Sequence, residues 1–208
     1  MRSYGQFCGL ARSLEVIGDR WTLLVVRQLL IAPARYRDLA EGLPGIATNL
    51  LADRLRNLEA AGVVERRLAG TGSVVEYALT PWGAELRGPI ESLIRWSTPL
   101  MVRGPEGDSF RAEWLTLAVP ALLSARVEVR TPAAIGLEVG GPPLRLSVTD
   151  SGVEVVPHDG RALDATLRAD PAHLLGLAAG AFTLDDARAL GLLAIDGDEA
   201  AVRAAFAA

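Results

Sequence analysis

The segment from position 47 to 61 shows the clearest alternation of hydrophobic and polar positions in the chain. Its apolar positions recur at i, i+4 and i+7: Leu51, Leu55 and Leu58. Polar side chains follow the same spacing on another face: Asn49, Asp53 and Arg56. Because a helix brings residues three and four apart to one side, this pattern predicts a helix that packs through its leucines and leaves its polar face uncovered.

Two further helices are predicted before this segment. The first covers residues 20–31, with Asp19 as its N-cap. Its apolar stripe has helical spacing: Trp21, Leu24, Val25 and Leu29. The second helix, residues 35–43, is short because Gly42 and Pro44 interrupt its pattern.

A hairpin and one more helix are predicted after position 61. Gly62 has the position of a glycine that follows a helix C-terminus. Two apolar runs, 63–68 and 74–79, flank a glycine-containing tip and predict antiparallel strands. Thr80, followed by a proline, opens a helix to about residue 98 in which Pro89 predicts a kink.

The order helix, helix, turn, helix, two-stranded wing, helix is that of a winged helix-turn-helix. Cys8 and five segments resemble the HxlR family of bacterial transcription regulators: 17–24, 43–46, 51–55, 58–66 and 76–83. The resemblance covers about residues 7–98. It implies a homodimer, formed largely by the first and last helices of the domain, that binds a pseudo-palindromic operator in double-stranded DNA.

The first exposed residues of the predicted 47–61 helix are candidates for reading DNA bases. Thr48 and Asn49 lie at its N-terminus, and Arg56 lies two turns further along the uncovered face. An asparagine pairs bidentately with adenine and a threonine contacts a thymine methyl; a good bidentate pair discriminates by about 1–3 kcal/mol. The alternative is that Thr48 or Asn49 caps the helix, since both are good N-cap residues.

Several arginines in this half are candidates for contacts to DNA phosphates. They lie on the 35–43 helix, on the 47–61 helix and in the wing: Arg35, Arg37, Arg54, Arg66 and Arg67. The alternative is a solvated surface on which they pair with nearby acids: Asp38, Glu41, Glu59 and Glu65. Asp53 would repel phosphate, so we expect it to pair with Arg56 or Arg35.

Charge is unevenly distributed along the chain, whose 208 residues carry a net charge of −4. Residues 1–103 contain thirteen arginines and ten acids, a balance of +3, whereas residues 104–208 contain eight and fifteen, a balance of −7. A weakly basic first half predicts few phosphate contacts per protomer, so dimerisation has to supply much of the affinity. No apolar stretch reaches the ~18–20 residues that cross a bilayer, and no signal peptide opens the sequence, so we expect a cytoplasmic protein without a membrane partner.

One cysteine and two histidines leave little room for catalysis or metal binding. Cys8 cannot form an intramolecular disulfide, and His158 and His173 lack the i, i+4 spacing of a helical metal site. Without a phosphate-binding glycine loop or a catalytic-triad spacing, we expect neither an enzyme nor a metal or other cofactor. Some HxlR regulators sense oxidants through a cysteine near this position, so the resemblance implies redox sensing by Cys8; the alternative is a small apolar residue in the dimer interface.

The second half predicts a separate α+β domain over residues 109–208, after a winged helix-turn-helix domain over 1–103 and a linker rich in glycine and proline. Short extended runs predict an antiparallel meander: 127–129, 134–139, 144–148 and 153–156. A strand within 163–169, helices after Asp170 and Thr183, a strand at 192–195 and a helix from about Glu199 follow.

Three segments of this half are similar to the sterol-carrier-protein-like fold: 164–171, 174–180 and 195–198. The fold implies a mostly antiparallel sheet and an apolar cavity that holds a lipid or another hydrophobic small molecule. Six residues would line it: Leu137, Leu146, Val155, Leu174, Leu177 and Phe182. The alternatives are that these residues form an ordinary core, and that the protein is a lipid or small-molecule carrier whose second domain is the main functional unit.

Overall fold

A computed structural model describes residues 3–69, 74–104, 107–126 and 131–206. The chain forms two compact units, Met1–Ile90 and Glu91–Ala208. This division falls inside a helix, earlier in the chain than the linker expected at 102–109. The domain limits inferred from the sequence therefore stay a prediction.

The N-terminal unit consists of helices and one hairpin. Its helices, with the one that crosses into the second unit, are α1 (Gly9–Ile17), α2 (Thr22–Ile31), α3 (Tyr36–Gly42), α4 (Thr48–Ala60), α5 (Pro81–Ala84) and α6 (Arg87–Trp96). The hairpin pairs β1 (Val64–Ala69) with β2 (Val74–Leu79), and α4 contacts both α2 and β1. The predicted leucine face of α4 is confirmed, because Leu51, Leu55 and Leu58 are at most 1% exposed.

The start of α2 differs from the prediction. The helix begins at Thr22, and its N-cap is Trp21, in the left-handed region at φ +77°. Asp19 does not cap it, because its carboxylate accepts a hydrogen bond from Arg54, on α4. The later start also moves the buried stripe to Val25, Val26 and Leu29, and Leu24 is exposed.

The end of α4 agrees with the prediction. Gly62 adopts φ +75° after the last turn, and the next amide, of Val63, donates to the carbonyl of Leu58 at 2.9 Å. This left-handed residue and the bond back across it are typical of a helix C-terminus that ends in glycine.

The helix predicted from Thr80 to about residue 98 is two helices. The Thr80 hydroxyl accepts the amide of Gly83 at 3.0 Å, which confirms the predicted cap. Pro89 does not kink a continuous helix; it lies in the first turn of α6, and the chain leaves the helix at Glu85 and Leu86. Proline is tolerated in a first turn because the amides there have no partner within the helix.

The C-terminal unit is an α+β layer. Its helices are α7 (Leu115–Leu123), α8 (Pro171–Ala179), α9 (Leu184–Ala189) and α10 (Glu199–Phe206), with 3-10 helices at Thr98–Arg103 and Ala112–Trp114. Its strands are β3 (Ala133–Glu138), β4 (Leu144–Thr149), β5 (Gly152–Pro157), β6 (Ala165–Ala169) and β7 (Leu193–Gly197). They are ordered β5-β4-β3-β6-β7, and only the β3–β6 pair among them is parallel. The α+β class with a mostly antiparallel sheet is thus confirmed.

Most of the predicted C-terminal elements are present. The Thr183 hydroxyl accepts the Asp186 amide at 3.1 Å, and the Asp186 carboxylate accepts the Thr183 amide at 3.0 Å, so α9 begins with the predicted cap. The run predicted at 127–129 lies outside the described residues. In the described part of the chain, every helix falls short of what spanning a membrane would require in length and hydrophobicity.

Candidate nucleic-acid interface

Helix α4 presents one packed face and one free face. Thr48, Asn49 and Arg56 are all exposed, on the side away from the buried leucines. A helix held by its apolar side in this way leaves a polar side that can enter the major groove of DNA.

Neither candidate at the N-terminus of α4 caps the helix through its side chain. The N-cap is Ala47, in an extended conformation, and Thr48 is the first helical residue. The carbonyl of Thr48 accepts the Tyr36 hydroxyl at 2.6 Å, which ties the start of α3 to the start of α4. The side-chain Oδ1 of Asn49 accepts a hydrogen bond from the backbone amide of the next residue, Leu50, at 2.9 Å. Asn49 is therefore an exposed amide at the leading end of the helix.

The structure pairs the basic side chains of the free face with neighbouring acids. Arg56 forms an ion pair with Asp53 one turn earlier, as expected from the sequence. Both side chains are more than half exposed. An exposed pair contributes little to stability, so Arg56 can exchange its carboxylate for a phosphate at small cost.

Arg54 differs from the other candidates. Its side chain is 16% exposed, and one guanidinium nitrogen lies 2.5 Å from the Asp19 carboxylate, in the turn between α1 and α2. Its Nε is buried and has no hydrogen-bond partner in the part of the chain that the structure describes. Arg54 therefore links α4 to that turn through a mostly buried guanidinium.

The arginines of α3 lie at the start of that helix. Arg37 is 87% exposed and pairs with Glu41 at 2.9 Å, which raises the pKa of its guanidinium. Arg35 precedes the helix, and its backbone amide donates to Asp38 at 3.2 Å. Its guanidinium has no carboxylate within ion-pair distance among the described residues.

The wing carries its two arginines side by side in the sequence on β1. Arg66 pairs with Glu59 at 2.9 Å, and Arg67 pairs with Glu76, on β2, at 2.8 Å. The carboxylate of Glu59 raises the pKa of Arg66. The Arg66–Glu59 pair matches the solvated surface considered above, whereas Glu76 was not among the acids expected there. Both arginines are exposed and therefore stay accessible to a polyanion.

Cys8 is exposed and is the N-cap of α1. The backbone amides of Ala11 and Leu10 lower the pKa of its thiol. The cause is the first turn of the helix, where the amides have no carbonyl partner within the helix.

Exposed apolar side chains occur on the first and last helices of the HxlR-like segment. On α1, Leu10 and Leu14 are exposed about one helical turn apart. On α6, Leu93 and Trp96 are exposed, also about one turn apart.

Five of the six residues expected to line a cavity in the second unit are buried in its core: Leu137, Leu146, Val155, Leu174 and Leu177. Phe182 is partly buried and packs against them. A groove of about 480 Å³ lies instead beside β3 and β4, where Arg145, Ser147 and Glu154 line it, together with Arg161 and Asp164. Within the described residues no cluster of three or more histidine, cysteine or acidic side chains is arranged to hold a metal ion.

Comparison with known proteins divides the chain in two. Residues 16–104 match the family model described as HxlR-like helix-turn-helix, and residues 123–205 match that of the SCP-2 sterol transfer family.

Two relatives of the first segment come from Bacillus subtilis (strain 168). The uncharacterized HTH-type transcriptional regulator YkvN is 36% identical over 90 residues, which cover 43% of this chain and 76% of YkvN. The HTH-type transcriptional regulator YodB is 33% identical over 86 residues, 41% of this chain and 77% of YodB. The solved structure of reduced YodB has a TM-score of 0.41 at 31% identity, over 48% of this chain and 99% of that one.

Proposed function

Because this chain belongs to the HxlR-like helix-turn-helix family through residues 16–104, we propose that it is a homodimeric, sequence-specific DNA-binding transcriptional regulator. The observation that carries the proposal is the position of α4, which is attached by three buried leucines and exposes its polar face. We call α4 the recognition helix below.

In this proposal Asn49 reads a base, with Thr48 beside it and Arg56 further along the helix. Asn49 is exposed at the N-terminal end of the recognition helix, where helix-turn-helix proteins contact base edges. Its amide can pair bidentately with adenine once the local bond to Leu50 is exchanged.

Contacts to phosphates come from the arginines of α3 and of the wing. Arg35 is available without breaking an ion pair, whereas Arg37, Arg66 and Arg67 have to exchange exposed carboxylates. Arg54 is assigned a positioning role instead, because its charge is already used by Asp19.

The homodimer is supported by the exposed apolar side chains of α1 and α6. Leu10 is 67% exposed and Trp96 is 73% exposed. Leu10→Asp should convert a dimer into a monomer in light scattering after gel filtration, whereas Arg168→Ala, in the C-terminal unit, should leave the mass unchanged. A wild-type protein that elutes as a monomer at every concentration would contradict the dimer.

DNA binding is tested by mobility shift on the DNA upstream of the protein's own gene and on a scrambled duplex. Asn49→Ala should lose about fivefold to 150-fold of the preference for the first DNA at each of the two half-sites, since each protomer loses one bidentate contact. Arg35→Ala should weaken binding to both duplexes alike. Undiminished binding by both variants would refute the site assignment.

A second candidate function concerns the C-terminal unit, and the match of residues 123–205 to the SCP-2 sterol transfer family favours it. In this proposal the unit takes up a hydrophobic small molecule that favours one dimer geometry and thereby changes operator affinity. Since Leu137, Leu146 and Leu174 are fully buried, the ligand has to separate a packed core. Native mass spectrometry of the purified protein tests this: a co-purified lipid supports a sensor or a carrier, and an empty protein that takes up no added fatty acid or sterol speaks against both.

Cys8 is a third functional candidate. Its exposure and its lowered thiol pKa support a role as an oxidant-sensitive switch in the proposed regulator. Diamide oxidises two thiols to a disulfide, so with one cysteine per chain it should join Cys8 of one protomer to Cys8 of the other. The treatment should reduce DNA binding of the wild type and leave Cys8→Ser unaffected; equal responses would exclude the cysteine.

A further inference from the structure

The turn between α1 and α2 is joined to one flank of the recognition helix. The Asp19 carboxylate accepts from Arg54 at 2.5 Å, across 35 positions in sequence. Two residues after Asp19, Trp21 is the sole non-glycine residue with a positive φ in the described ranges. Its ring edge lies 3.8 Å from the place where a β-carbon would stand on Gly45, just before the recognition helix. The ion pair thus ties this turn to α4, and the Trp21 ring lies close to the segment that leads into the helix.

Arg20 is the residue between these two anchors. Its side chain is exposed, and its guanidinium carbon lies 5.9 Å from the centre of the Trp21 ring. Within the described part of the chain it has no carboxylate at ion-pair distance, unlike Arg54, Arg56 and the wing arginines. Its charge can therefore meet an anion without first giving up a carboxylate.

The two flanks of the recognition helix carry different contacts. At about 100° per residue, Thr48 lies ~60° to one side of Leu51 and Arg54 lies ~60° to the other. Tyr36 contacts α4 at Thr48, which brings the start of α3, with Arg35, to the first side. Arg54 holds the turn with Arg20 on the second side.

A helix in the major groove lies between two phosphate strands, about 12 Å apart. We propose that Arg20 binds a DNA phosphate on the flank of the recognition helix opposite α3, and that the Asp19–Arg54 pair positions it. Arg35 and Arg20 then neutralise one strand each. This inference rests on the proposed DNA binding, and it adds a residue that the sequence pattern did not single out.

The salt dependence of DNA binding tests it. Each phosphate contact contributes about 0.9 to the slope of log K against log salt concentration. Raising the salt concentration from ~50 to ~200 mM weakens the binding of both proteins. With two Arg20 side chains per dimer, the fold-loss of affinity should be about ten times smaller for Arg20→Ala than for the wild type. The loss at low salt should be the same on upstream and on scrambled DNA, since a phosphate carries no sequence information.

Two control variants and one variant of the supporting ion pair accompany the measurement by fluorescence anisotropy. Arg20→Lys keeps the charge and should retain a slope close to that of the wild type. Arg168→Ala removes an exposed arginine that pairs with Glu138 in the C-terminal unit, and should change nothing. The double variant Asp19→Asn/Arg54→Gln removes the ion pair without changing the net charge, so it should lower the slope partially because Arg20 loses its support.

The outcomes separate this inference from the proposed function. A wild-type slope for Arg20→Ala overturns the phosphate contact, whatever the sequence preference of the protein. Absence of any preference for upstream DNA in the wild type contradicts sequence-specific regulation, while a reduced slope for Arg20→Ala on scrambled DNA still supports the contact. A wild type that binds neither duplex overturns both.

Discussion

Replacing Leu55 by alanine removes one of the side chains that attach the recognition helix to the N-terminal unit. Leu55 is 1% exposed, between Leu51 and Leu58, which are equally buried. A buried leucine truncated to alanine costs about 2–5 kcal/mol, because the cost of the cavity adds to the lost transfer free energy. A domain is stable by only about 5–15 kcal/mol, so we expect the variant to lose a large part of the free energy of unfolding of this unit.

Urea unfolding followed by circular dichroism measures the loss, and amide hydrogen exchange over residues 48–60 locates it. Leu24→Ala is a matched control in the same unit, because Leu24 is 41% exposed and should lose less than about 1 kcal/mol. DNA binding of Leu55→Ala should fail at a lower temperature than that of the wild type. A variant with wild-type stability and wild-type exchange in α4 would refute the view that the leucines hold this helix.

The other predictions concern backbone, thiol and charge. Gly62→Ala should lower the free energy of unfolding by about 1 kcal/mol, because φ is +75° there. Gly9→Ala, at the first residue of α1, meets nothing within 4 Å and should be neutral or stabilising; similar melting temperatures for the two variants would contradict this. Amides at the start of α1 lower the pKa of the Cys8 thiol, so the pH at which alkylation by iodoacetamide reaches half its maximal rate should lie below ~8.5. In urea, where the helix is lost, this midpoint should rise to about 8.5. Hydrogen bonds from arginines lower the pKa of Asp185 and Glu199, so their contribution to stability is complete above the unfolded pKa of about 4 and is lost as the pH falls through the folded values. Protection of the amides over residues 184–206, measured relative to their intrinsic exchange rate at each pH, should fall below that pH, and constant protection would count against these pairs.

Local signals were sufficient for most elements of the fold. The leucine spacing of α4, the glycine after it and the threonine before α5 each predicted a feature that the structure confirms. Each depends on neighbours within one or two helical turns, so the chain itself contains the information. By contrast, α7 has buried residues on all sides, among them Leu117, Val119 and Ala121, and a helix without a polar face has no amphipathic period to detect.

Contacts between distant residues escaped the sequence for a physical reason. Aspartate is a common N-cap residue, but the Asp19 carboxylate instead accepts a hydrogen bond from Arg54, on a different helix. Pro89 predicts a disturbance, yet only the packed structure places it in a first turn, where it costs little. The same holds for the cavity proposed around Leu137 and Leu174, because whether apolar residues enclose space or fill it depends on how the helices close on the sheet.

The sequence by itself determined that a winged helix-turn-helix precedes an α+β unit, and that α4 has a packed face and a free one, because periodicity and capping act over a few residues. Tertiary structure decided which charges remain available for a partner. Arg54 is paired with Asp19, whereas Arg20 has no carboxylate within ion-pair distance among the described residues. The sequence could not predict this difference, because ion pairing depends on distances that are set only when remote segments pack together.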